Sequence, residues 1–196
     1  MAVLINEKKM LREDMLRDIG ALPAKYIVSS DSGIYNNLVE LPEFLSAGVV
    51  LFYFSVNREP STHRAIARAL DMGKTAALPL PYPGGVMSAR EILSADAPEA
   101  GPYGIPAPPE SARIIEKGDI DLIIVPAVSF DRDCYRLGYG GGYYDRYLPG
   151  TRAYTVGLAR ERLIRPRVPR EAHDIPVRCV VTEAGAIYAR QGGGSV

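Results

Sequence analysis

Leu122-Ile-Ile-Val125, followed at a short distance by Arg136-Leu-Gly-Tyr-Gly-Gly-Gly-Tyr-Tyr-Asp145, is the stretch on which the fold turns. Four apolar, mostly β-branched residues between Asp121 and Pro126 have the composition of a strand buried on both faces. Such strands belong to parallel sheets covered by helices, and ligands of open α/β sheets sit beyond the strands' carboxyl ends. The glycine-rich stretch begins on that side.

Working outward, Val49-Val-Leu-Phe-Tyr-Phe54 repeats the buried-strand composition. A helix is expected from about Ser61 to Met72, closed by Gly73, and a strand from Thr75 to Leu80 then completes a β-α-β unit with a right-handed crossover. Tyr154 to Leu158 and Cys179 to Thr182 are further strands, separated by an Arg- and Pro-rich stretch at 160–170. Upstream, Leu11, Met15 and Ile19 recur every four residues, so Asn6 to Ile19 reads as a helix capped by Asn6 and stopped by Gly20 and Pro23. Lys8 and Arg12 fall on one exposed face of it. A second helix lies within Ile27 to Phe44, with Gly33 and Pro42 leaving its limits open. Residues 81–109 are dense in Pro and Gly and read as a flap with some local structure. The expected fold class is α/β, a three-layer-like sheet flanked by helices, with residues 1–196 as a single domain.

Charges balance and no run of five or six like charges occurs, so the composition points away from nucleic acid and anionic membrane as partners. No apolar run approaches the roughly 20 residues of a membrane span. The apolar opening is too short for a secretory signal, and charge follows it. Cys134 and Cys179, far apart and outside any C-x-x-C, build neither a disulfide framework nor a zinc site, and a reducing cytoplasm is the expected location. Two histidines, His63 and His173, exclude a multi-histidine metal centre.

In the glycine stretch four glycines can turn backbone N–H groups together onto an anion. Arg136 offers a forked cation at one end, and Asp145 has the chemistry of a Mg²⁺ ligand at the other. The pattern is neither a P-loop nor a dinucleotide fingerprint, and a Gly/Tyr-rich tight turn is the alternative reading.

Asp121-Leu-Ile-Ile-Val-Pro, Phe130-Asp-Arg and Arg136-Leu-Gly-Tyr-Gly-Gly-Gly-Tyr-Tyr-Asp-Arg-Tyr-Leu148 together resemble the motif of the 5-formyltetrahydrofolate cyclo-ligase family, also called methenyltetrahydrofolate synthetases. Lys8-Lys-Met-Leu-Arg12, Glu59-Pro-Ser-Thr62, Gly73-Lys-Thr-Ala-Ala-Leu-Pro79, His173-Asp174 and Val180-Val-Thr-Glu183 are similar to further family segments in the same order. The resemblance implies a NagB/RpiA-like α/β fold. It implies ATP- and Mg²⁺-dependent closure of 5-formyltetrahydrofolate to 5,10-methenyltetrahydrofolate through a phosphorylated formyl oxygen.

Carried over residue by residue, it implies Glu59, Arg136 and Tyr144 as catalytic. ATP falls to Lys8, Lys9, Arg12 and the loop from Arg136 through Leu137, Gly138, Tyr139, Gly140, Gly141, Gly142 and Tyr143 to Tyr144. The reduced folate falls to Arg12, Phe54, Glu59, Met87, Tyr103, Tyr139 and Tyr143, and Mg²⁺ to Asp145 and Asp174.

The chain departs from the pattern at the site. Gly141 stands where the family loop carries lysine, Ala127 and Cys134 where it carries glycine, and Ala107 where an acid is common. A charged hydrogen bond to phosphate contributes on the order of 1.5–3 kcal/mol, or roughly tenfold to a hundredfold in rate if it forms only in the transition state. Lys9, Arg132 and Arg146 are the candidates to replace the charge. The rival expectation is a non-catalytic nucleotide- or folate-binding relative. A third is a sugar-phosphate isomerase or acyl-CoA transferase with Glu59 as base or nucleophile.

Overall fold

The computed structural model describes residues 2–96, 98, 100–101, 104–171 and 174–189. Its helices are α1 (Ala2–Ala21), α2 (Ala24–Val39), α3 (Pro42–Ser46), α4 (His63–Asp71) and α5 (Tyr143–Tyr147). Its strands are β1 (Val49–Leu51), β2 (Thr75–Tyr82), β3 (Val86–Ile92), β4 (Ile114–Ile115), β5 (Leu122–Val125), β6 (Ser129–Phe130), β7 (Arg136–Leu137), β8 (Tyr154–Leu158), β9 (Cys179–Thr182) and β10 (Gly185–Tyr188). Eight of them form one sheet in the order β10-β9-β8-β5-β1-β2-β3-β4, and β6 pairs with β7 in a separate hairpin. The run from β9 to β2 is parallel, and the flanking β10, β3 and β4 are antiparallel. This is the α/β class the buried strands require.

Alternation along the strands sorts the core into two layers. Val50, Phe52, Leu122, Ile124, Val156, Leu158, Cys179 and Val181 pack with Ile34, Leu38, Phe44 and Ile66 from α2, α3 and α4. Leu51, Ile123, Val125 and Val180 point the other way, onto Phe130, Cys134, Leu148 and Val177. A third cluster joins Met15 of α1 to Val128 and Leu137 around the β6–β7 hairpin and to Leu163 and Val168.

Several sequence-based boundaries change for physical reasons. The first helix starts at Ala2, so Asn6 is an interior residue and no cap. Half-buried Leu4 extends the stripe of Leu11 and Met15 by two further turns. β1 ends at Leu51, short of Phe54: Phe52 N still reaches Ala77 O, but from Tyr53 onward the backbone groups are satisfied elsewhere. The Thr62 hydroxyl donates to Tyr53 O at 2.7 Å and accepts from Ser55 N at 3.1 Å, and Ser55 Oγ accepts from Thr62 N at 3.0 Å.

β2 runs past Leu80 through two prolines. Ala77 O accepts from Phe52 N, so Ala77, Pro79 and Pro81 turn their backbone groups toward the β1 side, where β1 has already stopped. No ladder bond is lost.

The start of the flap is regular sheet. Gly84 and Gly85, at φ 81° and 76°, make a turn that pairs β3 with β2 from Tyr82 opposite Val86 to Ala76 opposite Ile92.

Gly157 in β8 sits where any Cβ would enter the Phe130 ring. Gly157→Ala should therefore destabilise the protein by about 1–3 kcal/mol through overpacking, measured by denaturant unfolding. An unchanged midpoint would contradict this packing.

Candidate active site

The contact of α1 with the β6–β7 hairpin sets the geometry of the glycine loop. Met15 buries its side chain against Leu137, and Arg12 and Lys8, one and two turns earlier, face the cleft beside the loop that follows β7. The two cations are half-buried, which corrects their reading as an exposed face. Arg12 Nε donates to Gly138 O at 2.8 Å, and Lys8 Nζ donates to Asp174 Oδ2 at 2.7 Å with Glu171 at 3.7 Å. Arg136 pairs with the Asp145 carboxylate and donates to Ile175 O at 3.1 Å.

Lys8, Arg12, Arg136, Leu137, Gly138, Gly140, Gly142, Asp145 and Asp174 line one cleft of about 100 Å³. That volume suits a phosphate group with its counter-ion better than a whole nucleotide. Lys9 is exposed on α1, and neither it nor Gly141 lines the cleft. Gly140 and Gly142 take φ of 101° and 68°, where a side chain is strained. Gly142 ends the loop, and Tyr143 and Tyr144 open α5.

Tyr139 leads from this cleft to a second cluster. Half of Tyr139 is exposed, and its hydroxyl meets the carboxylate of Glu59. Burial raises the Glu59 carboxyl above its ordinary range, opposed by hydrogen bonds from Val56 N and from Tyr139. Burial together with the Glu59 charge pushes the Tyr139, Tyr144 and Tyr53 phenols up, which keeps them protonated donors. The Tyr144 hydroxyl is buried with no hydrogen-bond partner among the described residues. Buried polar groups are nearly always satisfied, and this orphan lies within range of the Glu59 and Arg136 charges, where a ligand could supply its partner.

Phe54 is buried and stacks on His63, centroids 4.4 Å apart. Met87 is buried on β3, and Tyr143 Oη donates to Tyr82 O at 3.4 Å across the β2–β3 turn. Tyr103 and His173 lie outside the described residues.

The acids present suit a hard cation of one kind. Among the described residues no group of three His, Cys, Asp or Glu side chains forms a protein cage. Mg²⁺ commonly takes one or two carboxylates and completes its shell with phosphate oxygens and water, and Asp145 and Asp174 in the same cleft fit that pattern.

Sequence reasoning missed what holds Glu59 in place. Arg160, 1% exposed, donates to the carbonyls of Arg58 at 2.7 Å and Glu59 at 3.3 Å, to Ser30 Oγ at 3.0 Å, and pairs with Asp31 at 2.7 Å. The available signal is an arginine placed two residues after the strand Tyr154–Leu158. Cys134 also gains a reason: at φ 66° it occupies the left-handed region, which explains why glycine is usual there.

Fold and site thus define an α/β protein with a cationic glycine-loop cleft joined to a buried carboxylate–tyrosine cluster. The model of the 5-formyltetrahydrofolate cyclo-ligase family matches residues 4–183, and the chain belongs to that family of ligases. It is 28% identical to a probable 5-formyltetrahydrofolate cyclo-ligase of Schizosaccharomyces pombe, over 90% of this chain and 95% of that one. It is 30% identical to the Escherichia coli K12 5-formyltetrahydrofolate cyclo-ligase, over 74% and 83%. Among solved structures, the Aquifex aeolicus 5,10-methenyltetrahydrofolate synthetase superposes with a TM-score of 0.82 at 32% identity, covering 96% of both chains. The Mycoplasma pneumoniae 5,10-methenyltetrahydrofolate synthetase, 21% identical, shares the fold at 0.74 over 90% of this chain and 99% of that one.

Because burial raises the Glu59 carboxyl in the folded state, its ionisation costs stability as pH rises above the ordinary value of 4.5. Glu59→Gln should leave stability near wild type at pH 4 and exceed it increasingly toward neutrality. Denaturant titrations across that range that show no pH-dependent difference would exclude the effect.

Proposed function

We propose that this enzyme closes 5-formyltetrahydrofolate to 5,10-methenyltetrahydrofolate, coupled to conversion of ATP to ADP and phosphate, as a single-domain ligase. The observation that carries the reading is the glycine loop itself. One stretch of backbone lines the cationic cleft through Gly138, Gly140 and Gly142 and reaches Glu59 through Tyr139.

The chemistry explains why two adjoining sites are needed. A formamide carbon is a poor electrophile and its oxygen a poor leaving group. Attack of the formyl oxygen on the γ-phosphorus releases ADP and leaves an iminium phosphate. N10 then attacks the carbon and gives up its proton, and phosphate departs with the oxygen. Such transfers depend mainly on positioning and on charge stabilisation.

In this reading Lys8, Arg12 and Arg136 hold the triphosphate, exchanging their present partners Asp174, Gly138 O and Asp145 for phosphate oxygens. Asp145 and Asp174, released from those cations, would hold Mg²⁺, which supplies neutralisation of phosphate charge when bound. Glu59 and Tyr139 orient the folate near the formyl group. Phe54, Met87 and Tyr143 form its apolar and aromatic walls. The Tyr144 hydroxyl donates to the substrate, which would give the orphan its partner.

Lys9 and Gly141 contribute through the helix and loop backbones that carry their neighbours. The loop retains charge around the missing lysine, and the non-catalytic alternative is weaker for that reason. The family match over residues 4–183 counts against an isomerase or transferase reading.

The purified chain with 5-formyltetrahydrofolate, Mg²⁺ and ATP should generate the near-ultraviolet band of the methenyl product, and no band at high enzyme concentration would overturn the proposal. Tyr144→Phe provides an independent check. Removing an unsatisfied buried hydroxyl relieves a desolvation penalty of about 1–3 kcal/mol, so the variant should melt higher while turning over more slowly. A lower melting point with unchanged turnover would remove Tyr144 from the site.

A further inference from the structure

The segment 164–178 carries Asp174, yet it holds no helix or strand among its described residues. Its place beside the glycine loop is set by the turn of the β6–β7 hairpin, residues 131–135. Within that turn Asp131 N donates to Tyr135 O and Cys134 N to Asp131 O, both at 3.0 Å. Downstream of Asp174, Val177 N donates to Cys134 O at 3.0 Å, and Arg136 Nη1 reaches Ile175 O at 3.1 Å. Upstream of it, Arg170 pairs with Asp133 at 2.9 Å and lays its guanidinium 4.0 Å over the Tyr135 ring.

At the centre of this seam is a carboxylate closed off from water. Asp131 is 0% exposed. Its Oδ1 accepts from the N–H groups of Asp133 and Tyr135, each at 3.0 Å, which closes the turn directly before Arg136. Its Oδ2 accepts from Val168 N at 2.9 Å, and Arg170 stands 3.6 Å away. A buried carboxylate is costly unless donors satisfy it. Here the donors come from both the hairpin and the segment, so a shift of either leaves the charge short of a partner. Arg136 on the one and Asp174 on the other line the same cleft, and Asp131 stands behind them.

We propose that Asp131 is a positioning residue of the phosphate cleft, its buried carboxylate fixing the spacing between Arg136 and Asp174 on which binding of a Mg²⁺–polyphosphate depends. The inference rests on the reading of those two residues given above, and its test uses inorganic triphosphate so that folate chemistry is not needed. In Asp131→Asn the remaining carbonyl oxygen keeps the two turn bonds, whereas the amide sets a donor against Val168 N and Arg170. The turn is retained and the seam is broken. Groups that orient metal ligands typically contribute roughly tenfold to a hundredfold in affinity. Calorimetry with Mg²⁺ and inorganic triphosphate should therefore show a loss of roughly tenfold or more in Asp131→Asn. Combined with Asp174→Ala, the two losses should fall short of multiplying, because both act on one ligand set. In turnover the KM for ATP should rise roughly tenfold, while that for 5-formyltetrahydrofolate keeps its wild-type value, since Glu59 is braced by Arg160 instead.

Losses that multiply in the double variant would mark Asp131 as a general stabiliser and overturn the proposal. So would equal rises in both KM values, or a folded Asp131→Asn protein with wild-type affinity for triphosphate. If Asp131→Asn does not fold, Arg170→Ala takes its place, because that side chain is part-exposed and its removal opens the same seam at its middle. A loss of triphosphate affinity there supports the proposal, and an unchanged affinity overturns it. If wild type binds Mg²⁺–triphosphate in a way that depends on Asp131 but turns over no folate, the positioning role stands and the ligase reading falls. Wild type that binds no triphosphate overturns both.

Discussion

Arg160 has no route to water, and much of the molecule is arranged around that fact. Its guanidinium is satisfied by Ser30 and Asp31 of α2 and by the carbonyls of Arg58 and Glu59. A buried cation without partners carries a penalty of several kcal/mol, and each group that relieves it is thereby fixed in place. The end of β8, the middle of α2 and the loop before α4 become one unit. Burial raises the Asp31 carboxyl, and the Arg160 charge opposes that rise. The reciprocal bonds of Ser55 and Thr62 close the other side of the same loop. Glu59 therefore sits on a braced backbone although it belongs to no helix or strand.

The phosphate cleft is organised differently, by exchangeable charge. Lys8–Asp174 joins α1 to a distant segment and Arg136–Asp145 spans the glycine loop, both partly open to water. Pairs of this kind contribute little to stability and can trade partners at small net cost. In the proposed reaction they are the pairs that anionic oxygens would displace. The two halves of the site thus differ in stiffness: the carboxylate side is locked by burial, and the phosphate side is poised for exchange.

Glycines carry the connection between them. Gly85 and Gly142 leave the space that the Arg146 guanidinium fills, and Gly157 leaves the space for the Phe130 ring. In each case the missing side chain is replaced by another residue's. Cys134 shows the cost of the opposite choice, holding a left-handed backbone with a buried thiol whose proton is retained by burial.

Much was legible in the sequence because it depends on local pattern. Leu122–Val125, Tyr154–Leu158 and Cys179–Thr182 announce themselves as strands by unbroken apolar composition, and the helix before Gly73 by its spacing. The glycine loop, with Arg136 and Asp145 at its ends, is visible as a backbone able to receive an anion. Local pattern failed where a neighbour decides the outcome. β1 stops at Leu51 because the Ser55–Thr62 brace captures the backbone groups from Tyr53 onward, and Pro79 and Pro81 sit in a strand because β1 has ended beside them.

Residue types alone therefore determined an α/β sheet and a phosphate-competent loop. Only the tertiary structure decided which charges meet there. Lys8 and Arg12 look like solvated helix positions until Met15 docks α1 on the hairpin, and Arg160 and Arg146 look like ordinary surface arginines until burial and a glycine trough assign them partners. Side-chain charge is written in the sequence, but its partner and its exposure are properties of packing between segments far apart in the chain.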